Sequence, residues 1–403
     1  MAQRPLTGIR VLDLTNVLAG PYCTYQLAIL GAEVVKVEIP GAGDLARHLG
    51  PDPALNGVGL GTSFLAQNAG KKSVELDLKH PDGRAAFVEL LEVADVLVEN
   101  YRAGVLARLG FDWPYLHALN GSLIYCAISG FGQDGPMSQA PAYDQIIQGL
   151  SGMMSLTGSE DSAPLRVGFP VSDTVGGLTA ALATTAALAG RHGDGLGRRL
   201  DVSMLEASVS AMGWAVSNYL VGGLPPQPMG NQNPTAAPSG TFHAADGPLN
   251  IAANRQGQFE QLCRCVGRPD LLTDPRFADR EQRKLHRDEL NRELDTALKT
   301  RPALAWEREL NLLGVPAARI LTVAQVVELE QLAHRGFLTQ VPFPGEAGAD
   351  GAAGGRQVRV NGTGVLVDGQ PLHPTAPAPL LGEHNDDLPA IARRWRAADR
   401  ATR

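Results

Sequence analysis

The sequence predicts an α/β fold, a parallel sheet with helices on both faces, followed by a smaller helix-rich domain. Three observations carry that expectation. Short apolar runs alternate with helical stretches of about 10–12 residues through the first half of the chain. The turns after those runs are rich in Gly, Pro, Asn and Arg. Near Leu224 the composition changes: Pro225, Pro226, Pro228, Pro234 and Pro238 punctuate a linker, and helical periodicity then takes over.

Taken in order, Arg10–Leu14 reads as a strand, Pro21–Leu30 as a helix and Glu33–Glu38 as a second strand. Ser73–Leu78, Asp82–Glu92 and Asp95–Glu99 repeat the strand–helix–strand rhythm, and Leu123–Ser129 adds another apolar strand. Thr174–Ala189 is a small-residue helix suited to close packing. Ligands of such sheets gather at the carboxyl ends of strands, here Thr15–Gly20, Ile39–Asp44, Asn100–Gly104 and Gly130–Gly135. Beyond the linker, Arg255–Val266, Glu281–Lys299, Pro302–Leu313 and Val323–His334 read as amphipathic helices. Gly345–Gly355 reads as a hairpin tip or loose loop, Val358–Val360 and Gly364–Val367 as strands. The closing helix Asp386–Ala398 carries Arg393, Arg394 and Arg396 on a solvated face. The expected segments are therefore 1–224, 225–336 and 337–403.

Composition narrows the function. A chain of 403 residues exceeds what one core usually holds. Hydrophobic residues at 44% and charged residues at 19% describe an ordinary globular protein, and a net charge of −7 without a basic stripe disfavours nucleic acid. Cys23, Cys126, Cys263 and Cys265 show no metal-ligand spacing and fit a reducing compartment. The opening residues lack the apolar core of a signal peptide. Val167–Gly190 is long enough to raise a membrane span, but its Gly, Pro, Ser and Thr content favours a buried helix. The expectation is a cytoplasmic protein.

Inside that stretch, Asp173 is the one charged residue between Arg166 and Arg191. A carboxylate among Gly, Ala, Val, Thr and Leu is expensive to bury without a partner or a task. At the N-terminus of the Thr174–Ala189 helix it faces the positive end of the dipole, which contributes roughly 0.3–1 kcal/mol toward ionisation. The residues leave two roles open, acid nucleophile or plain N-cap.

Other motifs are sparse. Thr15–Pro21 lacks the glycine fingerprint of a dinucleotide site, which disfavours an NAD-dependent dehydrogenase. No P-loop, nucleophile elbow or zinc-protease motif is present, and His48, His80, His117, His192 and His243 are scattered singly. The strand ends and their flanks instead supply dispersed cations and amides: Arg47, Lys71, Lys72, Lys79, Asn100, Arg102 and Arg108. Such groups suit a long ligand with several phosphates.

The chain resembles the family III CoA-transferases, the group containing formyl-CoA:oxalate and carnitine CoA-transferases. The likeness rests on Gly8–Pro21, Leu30–Glu38 with Pro40–Asp44, Lys71–Lys79, Val98–Arg102, Ser129–Gly132, Ala142–Asp144, Gly314–Ala317 and Leu381–His384. It implies a Rossmann-like large domain built from both chain ends, a small domain from the middle, and an interlocked homodimer. It places Asp173 on the catalytic aspartate, and Val17, Leu18, Leu76, Lys79, Asn100, Tyr101, Arg102, Arg108 and Tyr143 on positions that contact CoA. Ile39 and Pro141 stand where formyl-CoA transferases carry Arg and Lys, so the phosphates would be met by Arg47, Lys71 or Lys72. Gly230–Pro234 holds a single glycine where the formyl group has a glycine-rich lid, which argues against formyl-CoA and oxalate.

The implied reaction moves CoA from an acyl-CoA, possibly succinyl-CoA, to a small carboxylic or dicarboxylic acid. It runs through an aspartyl mixed anhydride and an aspartyl-CoA thioester. CoA enters as substrate, with no permanently bound cofactor, no metal and no membrane or nucleic-acid partner. An unperturbed aspartate, ionising near about 3.9, already meets the nucleophile's need. Backbone amides near Gly230 or Gly176 are candidate oxyanion donors. Asn231, Gln232, Asn233 and Arg255 are available for the acceptor's far end. Two alternatives compete: a 2-methylacyl-CoA racemase of the same fold, whose His before the Asp matching Asp144 is replaced here by Tyr143, and a CoA-binding protein without turnover.

Overall fold

The computed structural model describes residues 4–346 and 355–402. It divides into two compact units. The first comprises residues 1–153, 166–224 and 330–403; the second comprises 154–165 and 225–329. Both chain ends thus belong to the first unit, and residues 154–165, expected within the first segment, belong to the second.

The first unit is built on a six-stranded parallel sheet. Its strands are β1 (Arg10–Leu14), β2 (Glu33–Glu38), β3 (Lys72–Glu75), β4 (Val96–Glu99), β5 (Ile124–Ser129) and β6 (Arg199–Ser203). The order is β3-β2-β1-β4-β5-β6, so the direction of winding reverses between β1 and β4. Alternation along each strand feeds two cores. Leu12, Leu97, Tyr125 and Ala127 join Phe87, Leu90, Phe111 and Trp395 on one face. Val11, Val96, Val98, Ile124, Cys126 and Ile128 join Cys23, Leu27, Ala180 and Leu188 on the other.

The terminal helix Leu388–Thr402 closes the first of these faces. Trp395 is buried, its indole N–H donating to Glu33 at 2.8 Å, while Arg394 pairs with Glu33 and Arg396 with Glu92. Two of the arginines expected on a solvated face therefore reach across to acidic partners. On the opposite face the long helix Val171–Asp194 lies against helix α1 (Ala19–Ile29). Gly177 permits the approach, since a Cβ there would stand 2.3 Å from the Ala19 carbonyl oxygen; Gly176 likewise admits Met204, which would lie 2.9 Å from its Cβ. Among the described residues no helix is long and apolar enough to cross a membrane.

The second unit departs more from expectation. It contains a three-stranded antiparallel sheet, β7 (Ser239–Ala244), β8 (Gly247–Ala252) and β9 (Ala317–Arg319), which the helix-rich reading missed. Its core joins Phe242, Leu249 and Ile251 to Phe259, Leu262, Trp306 and the i, i+4 row Leu290, Leu294, Leu298. The expected single helix Glu281–Lys299 is two, Arg280–Leu285 and Arg287–Leu298, broken at His286. Beside the break the Arg283 guanidinium turns inward to the carbonyls of Ala237 and Phe277. Val323–His334 is likewise split, into Val323–Val326 and Glu330–His334. In the first unit, strands β10 (Leu338–Pro342) and β11 (Gln357–Asn361) pair antiparallel. Most of the Gly345–Gly355 turn between them lies outside the described residues.

Candidate active site

The C-terminal ends of β1 and β4 diverge at the winding reversal, and a cleft opens there, as the general rule for open α/β sheets expects. Its volume is about 260 Å³. Seven of the residues singled out from sequence form its wall: Val17, Leu18, Asn100, Tyr101, Arg102, Tyr143 and Asp173. Sequence reasoning had not picked out Ser138 or Met204, which also line it, and had included Asn16 and Ser129 only within longer motifs.

The loop after β1 is locked from several sides. The side-chain amide of Asn100 accepts from the Asn16 N–H and donates to the Asn16 carbonyl, both at 2.8 Å, bridging the two diverging strand ends. Val17 sits at φ +67°, a left-handed conformation in which a β-branched residue is a genuine outlier. Its N–H donates to Asp44 Oδ1 at 2.9 Å. Beneath the loop lies a dry charge network. Asp13 Oδ1 accepts from the Thr15 N–H and hydroxyl. Lys36 Nζ donates to the Thr15 carbonyl at 2.7 Å and pairs with Asp44 at 2.9 Å.

That network engages two of the three cations expected to meet the CoA phosphates, and the third pairs elsewhere. Lys71 is 3% exposed and turned away from the cleft, with Asp13 Oδ2, the Pro21 carbonyl, Thr24 Oγ1 and Asn68 Oδ1 around its ammonium group. Arg47, 2% exposed, forms a two-pronged pair with Glu38 and stacks on Phe64. Lys72 pairs with Glu33. The Lys71 and Arg47 donors are thus engaged inside the fold, Lys72 is half-buried beside Glu33, and none of the three lines the cleft. Lys79 and Arg108 are exposed but outside the cleft wall, and Leu76 packs against the core. Arg102 is the wall's cation.

Asp173 is the third residue of the helix Val171–Asp194, with Pro170 at the cap position. It is therefore not the N-cap, and its side chain faces the cleft. Capping is done from a neighbouring helix, Asp144–Leu150. Asp144 Oδ1 accepts from the Ser172 N–H at 2.8 Å and the Asp173 N–H at 3.3 Å. Gln148 Nε2 holds the other Asp144 oxygen at 2.6 Å, and Gln148 Oε1 accepts from the Val167 N–H at 2.9 Å. Arg166 stands 3.8 Å from Asp144 Oδ2.

The electrostatics differ from the expectation of an ordinary aspartate. Burial, and then the charge of Asp144, raise Asp173 to about 7. A neighbouring carboxylate and partial loss of water thus outweigh the dipole's modest pull. Under the floor, burial likewise raises Glu99 to about 7, although the Tyr125 hydroxyl and the Tyr101 N–H both donate to it. Gly176, a candidate oxyanion donor, lies inside the helix, where its N–H belongs to the helical ladder. Gly230, Asn231, Gln232 and Asn233 line a cleft of their own in the second unit, about 570 Å³, with Ser239, Thr241 and Asn250. Arg255 is not part of its wall.

Comparison with known proteins places this arrangement. The family model described as CoA-transferase family III matches residues 6–385. An acetyl-CoA:oxalate CoA-transferase from Acetobacter aceti is 40% identical over 345 residues, 85% of this chain and 88% of its own length. A succinate–glutarate CoA-transferase from Agrobacterium fabrum is 35% identical over 388 residues, 94% of each chain. The crystal structure of a CAIB/BAIF family protein from Brucella suis superposes with a TM-score of 0.84 at 34% identity, over 96% of this chain and 99% of that one. The match extends across nearly the whole sequence, and the chain belongs to CoA-transferase family III.

Proposed function

We propose that the protein moves CoA from an acyl-CoA, succinyl-CoA as first choice, to a small dicarboxylic acid, with Asp173 as covalent nucleophile. One observation carries the reading: among the described residues, Asp173 is the one carboxylate in the wall of the cleft at the winding reversal. A relative named for succinate and glutarate, and another named for acetyl-CoA and oxalate, support a dicarboxylate acceptor.

In the first step the Asp173 carboxylate attacks the thioester carbonyl. The C–S bond breaks, giving a mixed anhydride and CoA thiolate. The thiolate then attacks the aspartyl carbonyl, forming an aspartyl-CoA thioester and releasing the donor acid as carboxylate. The acceptor carboxylate attacks that thioester, and the returning thiolate takes the acceptor's acyl group, which restores Asp173. Each step exchanges one acyl bond for another, so no net proton or electron is needed. CoA's body would run along Val17, Leu18 and Tyr101, its phosphates toward Arg102, with Lys79 and Arg108 available on the surface. Racemisation of a 2-methylacyl-CoA needs an acid and a base on opposite sides of the α-carbon. No histidine lines the cleft to share that work with Asp173. A binding protein without turnover has no use for an aspartate raised to about 7 in its wall. Two copies of the chain, interlocked, complete the proposal; light scattering should return twice the chain mass.

The test is hydroxylamine trapping followed by peptide mass spectrometry in the presence of succinyl-CoA. A hydroxamate on the Asp173 peptide is the expected result, and Asp173→Ala should lower CoA exchange by ~10⁴-fold or more. Parent-like exchange by Asp173→Ala overturns the mechanism.

A further inference from the structure

The Asp144 carboxylate is buried and tied into the entry of the nucleophile helix, and the transfer steps above leave it without a task. The first N–H groups of any helix lack intrahelical partners. Here two of them, on Ser172 and on Asp173 itself, point at a single oxygen of a side chain from another helix. Gln148 fixes that side chain, and through its own carbonyl oxygen it holds the Val167 N–H of the segment that leads into the nucleophile. A neutral cap such as Ser or Asn would satisfy the same donors. A charged one also cancels the positive helix end that otherwise stabilises an anion at Asp173. A carboxylate left without that stabilisation is the more basic, and a more basic oxygen is the better nucleophile toward a thioester.

We infer that Asp144 is a positioning residue for the transfer: it clamps the first turn of the nucleophile helix and, by its charge, sets the basicity of the attacking Asp173 oxygen. This rests on the reading of Asp173 as nucleophile. The other titratable and charged groups on packed elements are Tyr22, Cys23 and Tyr25 on α1, Tyr125 and Cys126 on β5, Arg199 and Asp201 on β6 and Glu206 on the Met204–Ala211 helix. Tyr101, Arg102 and Tyr143 share the cleft wall, and Arg166 reaches Asp144 from its exposed side. Asp144 is the one whose charge raises Asp173.

The experiment is the pH profile of succinate release from succinyl-CoA in a single turnover, the first half-reaction, in the parent, Asp144→Asn and Asp173→Ala. The asparagine keeps an acceptor oxygen for both N–H groups and removes the charge. Parent activity should rise through an inflection near 7 as Asp173 ionises. In Asp144→Asn the inflection should move to lower pH, stopping above the ordinary value near about 3.9 because burial persists. Its alkaline plateau should fall by about tenfold as the nucleophile weakens. A purely structural cap would change kcat or KM and leave the inflection in place, and that result overturns the inference. If Asp144→Asn does not fold, Asp144→Ser decides: it is a second neutral cap at the same position, so its inflection should also move to lower pH, and no movement overturns the inference. Retained exchange in Asp173→Ala removes the functional reading itself. An inactive Asp173→Ala beside an unmoved inflection removes this inference alone.

Discussion

Two carboxylates of the first unit leave water in opposite company. Asp13, at the end of β1, is fully buried, yet it meets Lys36, Lys71 and the hydroxyls of Thr15 and Thr24. Burial pushes it up, but those partners prevail and hold it well below the usual carboxylate range. Asp173, at the cleft, is raised to about 7 by burial first and then by the charge of another carboxylate, with no cation to oppose either. Depth of burial does not separate the scaffold carboxylate from the proposed nucleophile; the sign of the neighbours does. The paired carboxylate fixes a loop, whereas the other keeps the basicity that the proposed attack on a carbonyl requires.

The sharpest way to break this contrast is on the scaffold side. Lys71→Met removes one partner of a buried pair and leaves Asp13 with less compensation. Such changes cost about 3–5 kcal/mol, read here as a lower urea midpoint. The folded fraction of the variant should bind acyl-CoA with the parent's KM, because Lys71 faces Asp13 and not the cleft. A raised KM at unchanged stability would return Lys71 to the phosphate site that the sequence suggested.

The two carboxylates also tilt stability against pH in opposite directions. Asp13 is depressed in the folded state, so its contribution is present above the unfolded value and lost as pH falls toward the depressed one. Asp173 is raised, so the folded state binds its proton more tightly, and stability declines as pH climbs from about 3.9 toward about 7. The decline amounts to roughly 4 kcal/mol at most, since each unit is worth about 1.4 kcal/mol. Asp173→Asn should therefore gain stability over the parent at pH values above 7 and little near 4. Urea denaturation at the two extremes checks it, and equal gains at both would show that the charge of Asp173 is not what destabilises the site.

The same contrast explains what was legible. β1 and β2 were readable to the residue, because Arg10–Leu14 and Glu33–Glu38 are short apolar runs bounded by turns. β6 was missed because its Arg199 and Asp201 give an edge strand a polar face, with only Leu200 and Val202 turned to the core. The β7–β8 hairpin had a usable signal, Asp246-Gly247 between Phe242 and Leu249, which linker prolines on one side and helical periodicity on the other obscured. In the cleft, Asp173 stood out as an isolated charge, whereas Asp144 did not, since its role depends on a helix entry 28 residues away in sequence. The lysines and arginine expected at the phosphates, which lie outside the cleft wall, show the limit most plainly. Sequence gives the charge of Lys71 and Arg47, but only the fold shows that Asp13 and Glu38 have already neutralised them.

The smallest expected effect tests how the scaffold acts on the site. Asp44 pairs with Lys36 through one oxygen and holds the Val17 N–H with the other, so the charge network is what keeps a β-branched residue at φ +67°. Such strain costs of order 1–3 kcal/mol. Val17→Gly relieves it but loosens the unfolded chain, which costs about 0.4–1 kcal/mol in return. The net should be a stabilisation of about 1 kcal/mol, with a rise of a few fold in KM for acyl-CoA because the side chain lost is part of the cleft wall. Thermal unfolding and steady-state kinetics read the two effects separately. A destabilised Val17→Gly would mean that the valine side chain, and not the ion pair beneath it, holds the loop in place.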